Sequence, residues 1–187
     1  CVSVDVDRDR PSGRVLWLDT LRHSYVDLED PTHLEFRYAQ IFGAVLDTQL
    51  PAGPASSLSI GGGGFTFPRY VQATHPGGIN TVLELDPAIV DIATTDLGLD
   101  PSTIDIRTGD ARVTLRTTAF ETYDVVIGDA FGGPAVPWHL TTREFAQEFA
   151  DRLRPGGFYV LNLIDYPPLG FARAQTATLA DVFTHVA

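Results

Sequence analysis

The sequence predicts an α/β domain built on a parallel sheet. Two observations predict it. From Leu58 onward, short apolar runs alternate with helical patterns, and such alternation means β-α-β units. The first run, Leu58–Ile60, enters four consecutive glycines, Gly61–Gly64, and the next run, Thr81–Leu85, carries an acid at Glu84. Strand, glycine turn, helix, strand and acid together suit a nucleoside. Glycines let backbone approach a ligand, the helix start offers free N–H groups, and the acid can hold both ribose hydroxyls.

In chain order, Val2–Val6 alternates as a strand, and Arg14–Asp19 reads as a second across the turn Asp7–Gly13. This hairpin is expected to pack on a larger body. Leu21–Thr32 reads as irregular and polar. His33–Leu46 reads as a helix with Leu34, Ile41, Phe42 and Val45 roughly on one face. Pro51, Gly53 and Pro54 form a connector, which divides the chain at 1–50 and 51–187.

The expected strands of the second part are Leu58–Ile60, Thr81–Leu85, Ile104–Arg107, Tyr123–Asp129 and Phe158–Ile164. The helices between them are Pro68–Thr74, Pro87–Leu97, Ala111–Thr117 and Thr141–Leu153, with Pro87 at a favourable helix start and Thr141 or Thr142 as an N-cap. Pro155-Gly156-Gly157 stops the fourth helix. A weaker helix, Ala172–Ala180, follows, and Phe183–Val186 reads as the entry to a sixth strand.

Composition narrows the partners. The chain has 187 residues, 44% of them hydrophobic, enough for a substantial core. Its net charge is −11, and all 13 basic residues are arginine. Diffuse acidity disfavours nucleic acid and anionic membranes and suits a cationic ligand. Cys1 is the single cysteine, which excludes an intrachain disulfide and a zinc–thiolate site. The histidines at 23, 33, 75, 139 and 185 lack metal-ligand spacing, so no metal is expected and each reads as a satisfied or exposed side chain. No apolar run is long enough to span a membrane, and a cytoplasmic setting is expected.

Ligands of parallel sheets sit at the C-terminal strand ends. There the sequence places Gly61, Gly62 and Gly63, then Glu84, Asp110 with Ala111, Asp129 and Asp165. Glu84 is a candidate ribose clamp, and Asp110 either accepts from a base amine or caps the helix at Ala111. Thr66 occupies the third glycine position of the dinucleotide fingerprint, which argues against that cofactor class. Trp138 is either a pocket wall or a core residue.

These residues in this order resemble the spermidine synthase (aminopropyltransferase) family. Arg14–Asp19 resembles the last hairpin strand of its N-terminal domain, Glu35-Phe36 with Tyr38 its E-F-x-Y helix, and Ile60–Gly64 its I-G-G-G-D-G loop. Glu84–Pro87 is similar to E-I-D-P, Gly109–Ala111 to G-D-A, and Arg154–Gly157 to L-x-P-G-G. Tyr123–Asp129 followed by Leu140–Phe145 is similar to Y-D-V-I-x-D with L-F-T-x-E-F. The resemblance implies the Rossmann-like class I methyltransferase fold, with the strands from Leu58 in order 3-2-1-4-5 and helices on both faces. The hairpin is then the end of an N-terminal β-domain. The full fold adds two strands beyond the fifth, so the C-terminal part reads as truncated.

The same resemblance implies an adenosyl sulfonium, S-adenosylmethionine or its decarboxylated form, as co-substrate, and a polyamine as acceptor. Glu84 would hold the ribose, Asp110 the adenine amine, and Gly61–Gly63 the loop beneath the sulfonium. Asp129 and Tyr38 are the catalytic candidates, and Tyr38, His23 and Asp165 those for the acceptor substrate. A homodimer, and fusion to membrane segments outside this chain at the cytoplasmic face, are compatible with the family.

Three positions depart from the family pattern. Gly64 stands where the family has an Asp for the aminopropyl amine, Gly132 where it has the Asp proposed as base, and Ala39 where it has His or Gln. An amine nucleophile must lose a proton, so these losses bear on the chemistry. Three readings follow: an aminopropyltransferase with altered substrate, in which Asp165 or Glu35 reaches the vacated site; a methyltransferase; and a non-catalytic adenosyl-binding domain. Loss of the loop acid also predicts that intact S-adenosylmethionine or methylthioadenosine binds comparably or better than the decarboxylated ligand, with Gly64→Asp reversing this.

Overall fold

The computed structural model describes residues 1–131 and 136–187. Its centre is a five-stranded parallel sheet of β4 (Ser57–Ile60), β5 (Asn80–Glu84), β6 (Asp105–Thr108), β7 (Tyr123–Gly128) and β8 (Leu153–Leu161). The spatial order is β6-β5-β4-β7-β8, with β4 in the middle. Numbered from β4, this is the expected 3-2-1-4-5 order.

Helices cover both faces because β4 and β7 alternate. Leu58, Ile60 and Val126 enter one cluster with Ala111 of α4 (Ala111–Thr114), Phe145, Ala146 and Phe149 of α5 (Arg143–Ala150), and Leu179 of α6 (Gly170–Ala180). Val125 and Ile127 face the other way, toward α1 (Arg37–Gln49) and α2 (Thr66–Thr74). Val82 joins that side with Ala93 of α3 (Pro87–Thr95) and with Leu97 and Ile104. Inside the sheet, Ser57 Oγ pairs with Asn80 at 2.7 Å and Tyr123 Oη with Thr81 at 2.9 Å, whereas Ser59 Oγ has no partner among the described residues.

The helix starts follow the sequence chemistry. Asp86 caps α3 ahead of Pro87, Asp110 caps α4, and of the two threonines Thr142 caps α5 by accepting from Phe145 N at 3.2 Å.

The N-terminal strands form a three-stranded antiparallel sheet, β1 (Val2–Val6), β2 (Gly13–Leu18) and β3 (Leu21–Asp27). The segment expected to be irregular is therefore a strand over its first seven residues. Its polar residues hid it, yet they are bonded: Tyr25 Oη donates to Asp7 at 2.9 Å, and Asp27 accepts from Ser12 at 2.9 Å and from Arg10. Asp19 makes the tight turn at a φ of 55°, which aspartate tolerates. Leu16 and Val26 pack into the cluster of Phe65 and Val82, so this sheet shares apolar contacts with the parallel one.

Three other expectations shift. The first helix starts at Arg37, not His33. β8 begins at Leu153, pairs Tyr123 with Leu153 and Val125 with Phe158, and bulges over the Pro-Gly-Gly run between. Phe183–Val186 is not a strand. Phe183 instead stacks on Phe149 and Tyr159, with ring centroids 6.0 and 6.2 Å away.

Phe149 is 1% exposed and touches Phe145, Tyr159 and Phe183. Phe149→Ala should lower the unfolding free energy by about 3–5 kcal/mol in urea titration. A loss below about 1 kcal/mol would mean that this aromatic cluster is not core.

Candidate functional site

The C-terminal strand ends converge on one cleft of about 240 Å³. Gly61, Gly62 and Gly63 come from the loop after β4, Glu84 from the tip of β5, Asp110 and Ala111 from the start of α4, and Asp129 from the end of β7. Asp86, Leu85, Ile89, Pro137, His139 and Leu140 complete much of the wall, with His23 reaching in from β3. Glu84, Asp86, Asp110 and Asp129 all line it, and among the described residues the lining holds no arginine.

The glycine loop is held by contacts that need glycine. Gly61 has a φ of +96°, and a Cβ there would lie 2.6 Å from the Asp129 carbonyl oxygen. Glu84 is 8% exposed. Its Oε2 accepts from Gly62 N at 2.7 Å and Gly63 N at 3.3 Å, and its Oε1 accepts from Asp86 N at 2.9 Å. Each oxygen keeps lone-pair capacity for a further donor.

Asp110 does two jobs at once. Oδ1 accepts from Arg112 N at 2.9 Å and Val113 N at 3.3 Å, while Oδ2 pairs with His139 Nε2 at 2.9 Å. His139 was expected to be an ordinary satisfied histidine. Its spacing gave no signal, because Asp110 meets it through the fold. Trp138, beside it, is 78% exposed and belongs neither to the core nor to the lining.

Asp129 is part-buried and accepts from Tyr38 Oη at 3.1 Å and Asn162 Nδ2 at 2.9 Å. Burial raises its pKa, against the opposing effects of Asn162, Tyr38 and His23. Burial also raises that of Tyr38, helped by Asp129. His23 moves the other way: burial lowers its pKa, opposed by Asp129 and Glu84. It therefore tends to stay neutral between two carboxylates. Asn162 had no sequence signal beyond its place at a strand end.

Two candidates are not brought to the cleft. Asp165 Oδ1 accepts from Tyr166 N at 2.8 Å and Oδ2 from Ala172 N at 2.9 Å, which ties it to the start of α6. Glu35 lies on the surface with His33 and Arg22. Neither reaches Gly64. Gly132 lies outside the described residues.

The space expected at Gly64 is also filled. A Cβ there would lie 2.8 Å from Ser24 Cβ and 3.3 Å from Val26 Cγ1, and the Gly64 N–H donates to Ser24 Oγ at 3.0 Å. The site vacated by the family's loop acid is thus occupied by β3.

Comparison with known proteins agrees with this architecture. A probable spermidine synthase from Corynebacterium glutamicum, known from a crystal structure, superposes with a TM-score of 0.88 at 30% identity, over 98% of this chain and 68% of that one. The chain belongs to the spermidine synthase (polyamine aminopropyltransferase) family. A polyamine aminopropyltransferase of Vibrio vulnificus is 35% identical over 133 residues, covering 70% of this chain and 44% of that protein. This family member thus spans about half the length, or less, of the curated relatives it matches. No protein-family model matches it. Human methyltransferase-like protein 13, solved in complex with SAH, shares the fold at a TM-score of 0.68 and 24% identity, over 83% of this chain and 76% of that one. The family member has the Rossmann-like class I methyltransferase fold. Among the described residues no helix is long and apolar enough to cross a membrane, and no cluster of ligating side chains could hold a metal.

Two outcomes test this geometry. Gly64→Asp should destabilise the fold by about 1–3 kcal/mol in denaturant titration, because the side chain meets β3; unchanged stability would show that β3 yields. The second concerns Asp129. Its raised pKa means that the folded state holds the proton more tightly than the unfolded chain. Its stabilising contribution is therefore present at low pH and lost as pH rises through the folded-state value. Asp129→Asn should gain melting temperature relative to the unmodified protein as pH rises above the ordinary aspartate value of about 3.9. A difference flat with pH would mean that the carboxylate is well solvated.

Proposed function

We propose that the cleft binds an adenosyl sulfonium and that the chain carries the transferase site of a spermidine-synthase-like enzyme. One observation carries this reading: among the described residues, four carboxylates and no arginine line a cleft floored by a glycine loop. Such a wall repels a pyrophosphate and suits a positively charged nucleoside. Glu84 receives the ribose hydroxyls, and Leu85, Ile89, Ala111 and Leu140 supply apolar walls for the base. Asp110 faces the adenine amine once His139 turns away. The SAH and spermidine synthase names of structural neighbours support a ligand of this class.

The chemistry follows from what Asp129 keeps. An amine attacks the carbon beside the sulfonium, the carbon–sulfur bond breaks, and its electrons neutralise the departing thioether. The amine proton passes to Asp129, whose raised pKa makes it a better base than a solvated aspartate. Tyr38 aims that carboxylate through its hydrogen bond. Methyl transfer is the second reading. It depends mainly on proximity and alignment, and the shared methyltransferase fold favours it.

Calorimetry with 5′-methylthioadenosine is the direct test. Glu84→Ala should weaken binding at least tenfold, since charge-assisted hydrogen bonds contribute about 1.5–3 kcal/mol each. Asp110→Ala should cost less, because its oxygens already serve a helix cap and His139. Unchanged affinity in Glu84→Ala would move the nucleoside elsewhere. Turnover separates the two reactions: aminopropyl transfer requires the decarboxylated sulfonium and an amine acceptor, and methyl transfer the intact one.

A further inference from the structure

His139 occupies the acceptor that a base amine would need. Asp110 has two carboxylate oxygens, and Oδ1 is taken by the Arg112 and Val113 N–H groups at the start of α4. That leaves Oδ2 for a ligand, and His139 Nε2 lies 2.9 Å from it. Both residues line the cleft beside Leu85, Ile89, Ala111 and Leu140, the apolar walls of the proposed base site. Glu84, Asp86 and Asp129 share that lining, so a donor on Asp110 eases the repulsion among carboxylates until a ligand supplies one.

The imidazole can leave without moving its backbone. Arg112 Nη1 donates to the His139 carbonyl oxygen at 3.1 Å and lies 3.3 Å from Thr142 Oγ1, which pins the short turn Trp138–Leu140 to α4. The His139 side chain keeps 31% of its surface in solvent. Its one ring neighbour in that turn is the exposed Trp138, which meets it edge-on with ring centroids 5.8 Å apart. Rotation about the side-chain torsions therefore swings the ring toward water while the turn stays in place.

The base decides whether the exchange happens. A 6-aminopurine brings an exocyclic N–H that replaces the imidazole N–H on Oδ2. A 6-oxopurine brings a carbonyl oxygen, which a carboxylate repels, so it gains nothing by displacing the ring. We propose that His139 is a specificity-determining residue: its side chain stands in for the exocyclic amine on Asp110, yields when a 6-aminopurine binds, and narrows the margin by which the cleft prefers that base to a 6-oxopurine. The inference rests on the adenosyl reading of the cleft. One donor lost and one gained nearly cancel on Oδ2. Asp110 in the unmodified protein therefore acts more by rejecting the oxo base than by attracting the amino one.

The test is calorimetry with 5′-methylthioadenosine and its 6-oxo analogue, 5′-methylthioinosine. The proteins are the unmodified chain, His139→Ala, His139→Gln, and Asp110→Ala with and without His139→Ala. His139→Ala should bind methylthioadenosine about three- to tenfold more tightly, the worth of one contact no longer displaced, and methylthioinosine no more tightly. His139→Gln keeps a side-chain N–H donor and should bind both ligands within about twofold of the unmodified protein. In the Asp110→Ala background, His139→Ala should change methylthioadenosine affinity by less than about twofold, because the shared oxygen is gone. Weaker binding of both ligands by His139→Ala would make the imidazole a wall of the base site, and equally tighter binding of both would make it a steric plug. Either result, or no change with either ligand, would overturn the proposal. Failure of methylthioadenosine to bind both the unmodified protein and His139→Ala would instead sink the adenosyl reading itself.

Discussion

The site depends on the carboxylate of Glu84. Three backbone N–H groups, from Gly62, Gly63 and Asp86, converge on it at the tip of the second sheet strand. That places the glycine loop and the start of α3 in one hydrogen-bonded unit before any ligand arrives. Gly61 N donates to the Leu83 carbonyl and Asp129 N to the Ile60 carbonyl, so the three central strand ends are stitched side by side. A loop fixed in advance loses little conformational entropy on binding. The same residue is the proposed ribose clamp, so loop order and ligand affinity are coupled through one side chain.

Four carboxylates around one cleft are a liability for an empty protein. Like charges repel, and burial penalises their ionised forms. The chain limits this by hydrogen bonding: Asp110 serves a helix cap and His139, Asp86 caps α3, and Asp129 takes Tyr38 and Asn162. Asp129 still shows the penalty as a raised pKa, and its neighbour His23 is pushed toward neutrality by burial. Local cost of this kind is characteristic of sites built for a ligand of opposite charge.

The antiparallel sheet is part of the site. β3 brings His23 over the loop and Ser24 against Gly64, and the Tyr25 carbonyl receives the hydroxyl of Thr66 at the start of α2. The first strands thus shape the floor of the cleft as much as the glycines do. Their apolar faces reach the same cluster as Phe65 and Val82, so the loop is gripped from both sheets.

The parallel core was legible in the sequence because its strands are short apolar runs and its helices begin at Asp86-Pro87, Asp110 and Thr142, signals that act within a few residues. Gly61–Gly63, Glu84, Asp110 and Asp129 could be named because the strand-end rule is local too. β3 was not legible, because its polar residues make sense only once Asp7, Ser12 and Gly64 stand opposite them. The fate of Asp165, the filling of Gly64 by Ser24 and the His139–Asp110 pair were likewise decided by tertiary structure. Sequence pattern determines which face of an element is apolar. Which side chain meets which across the molecule depends on contacts distant in sequence, and no local pattern encodes them.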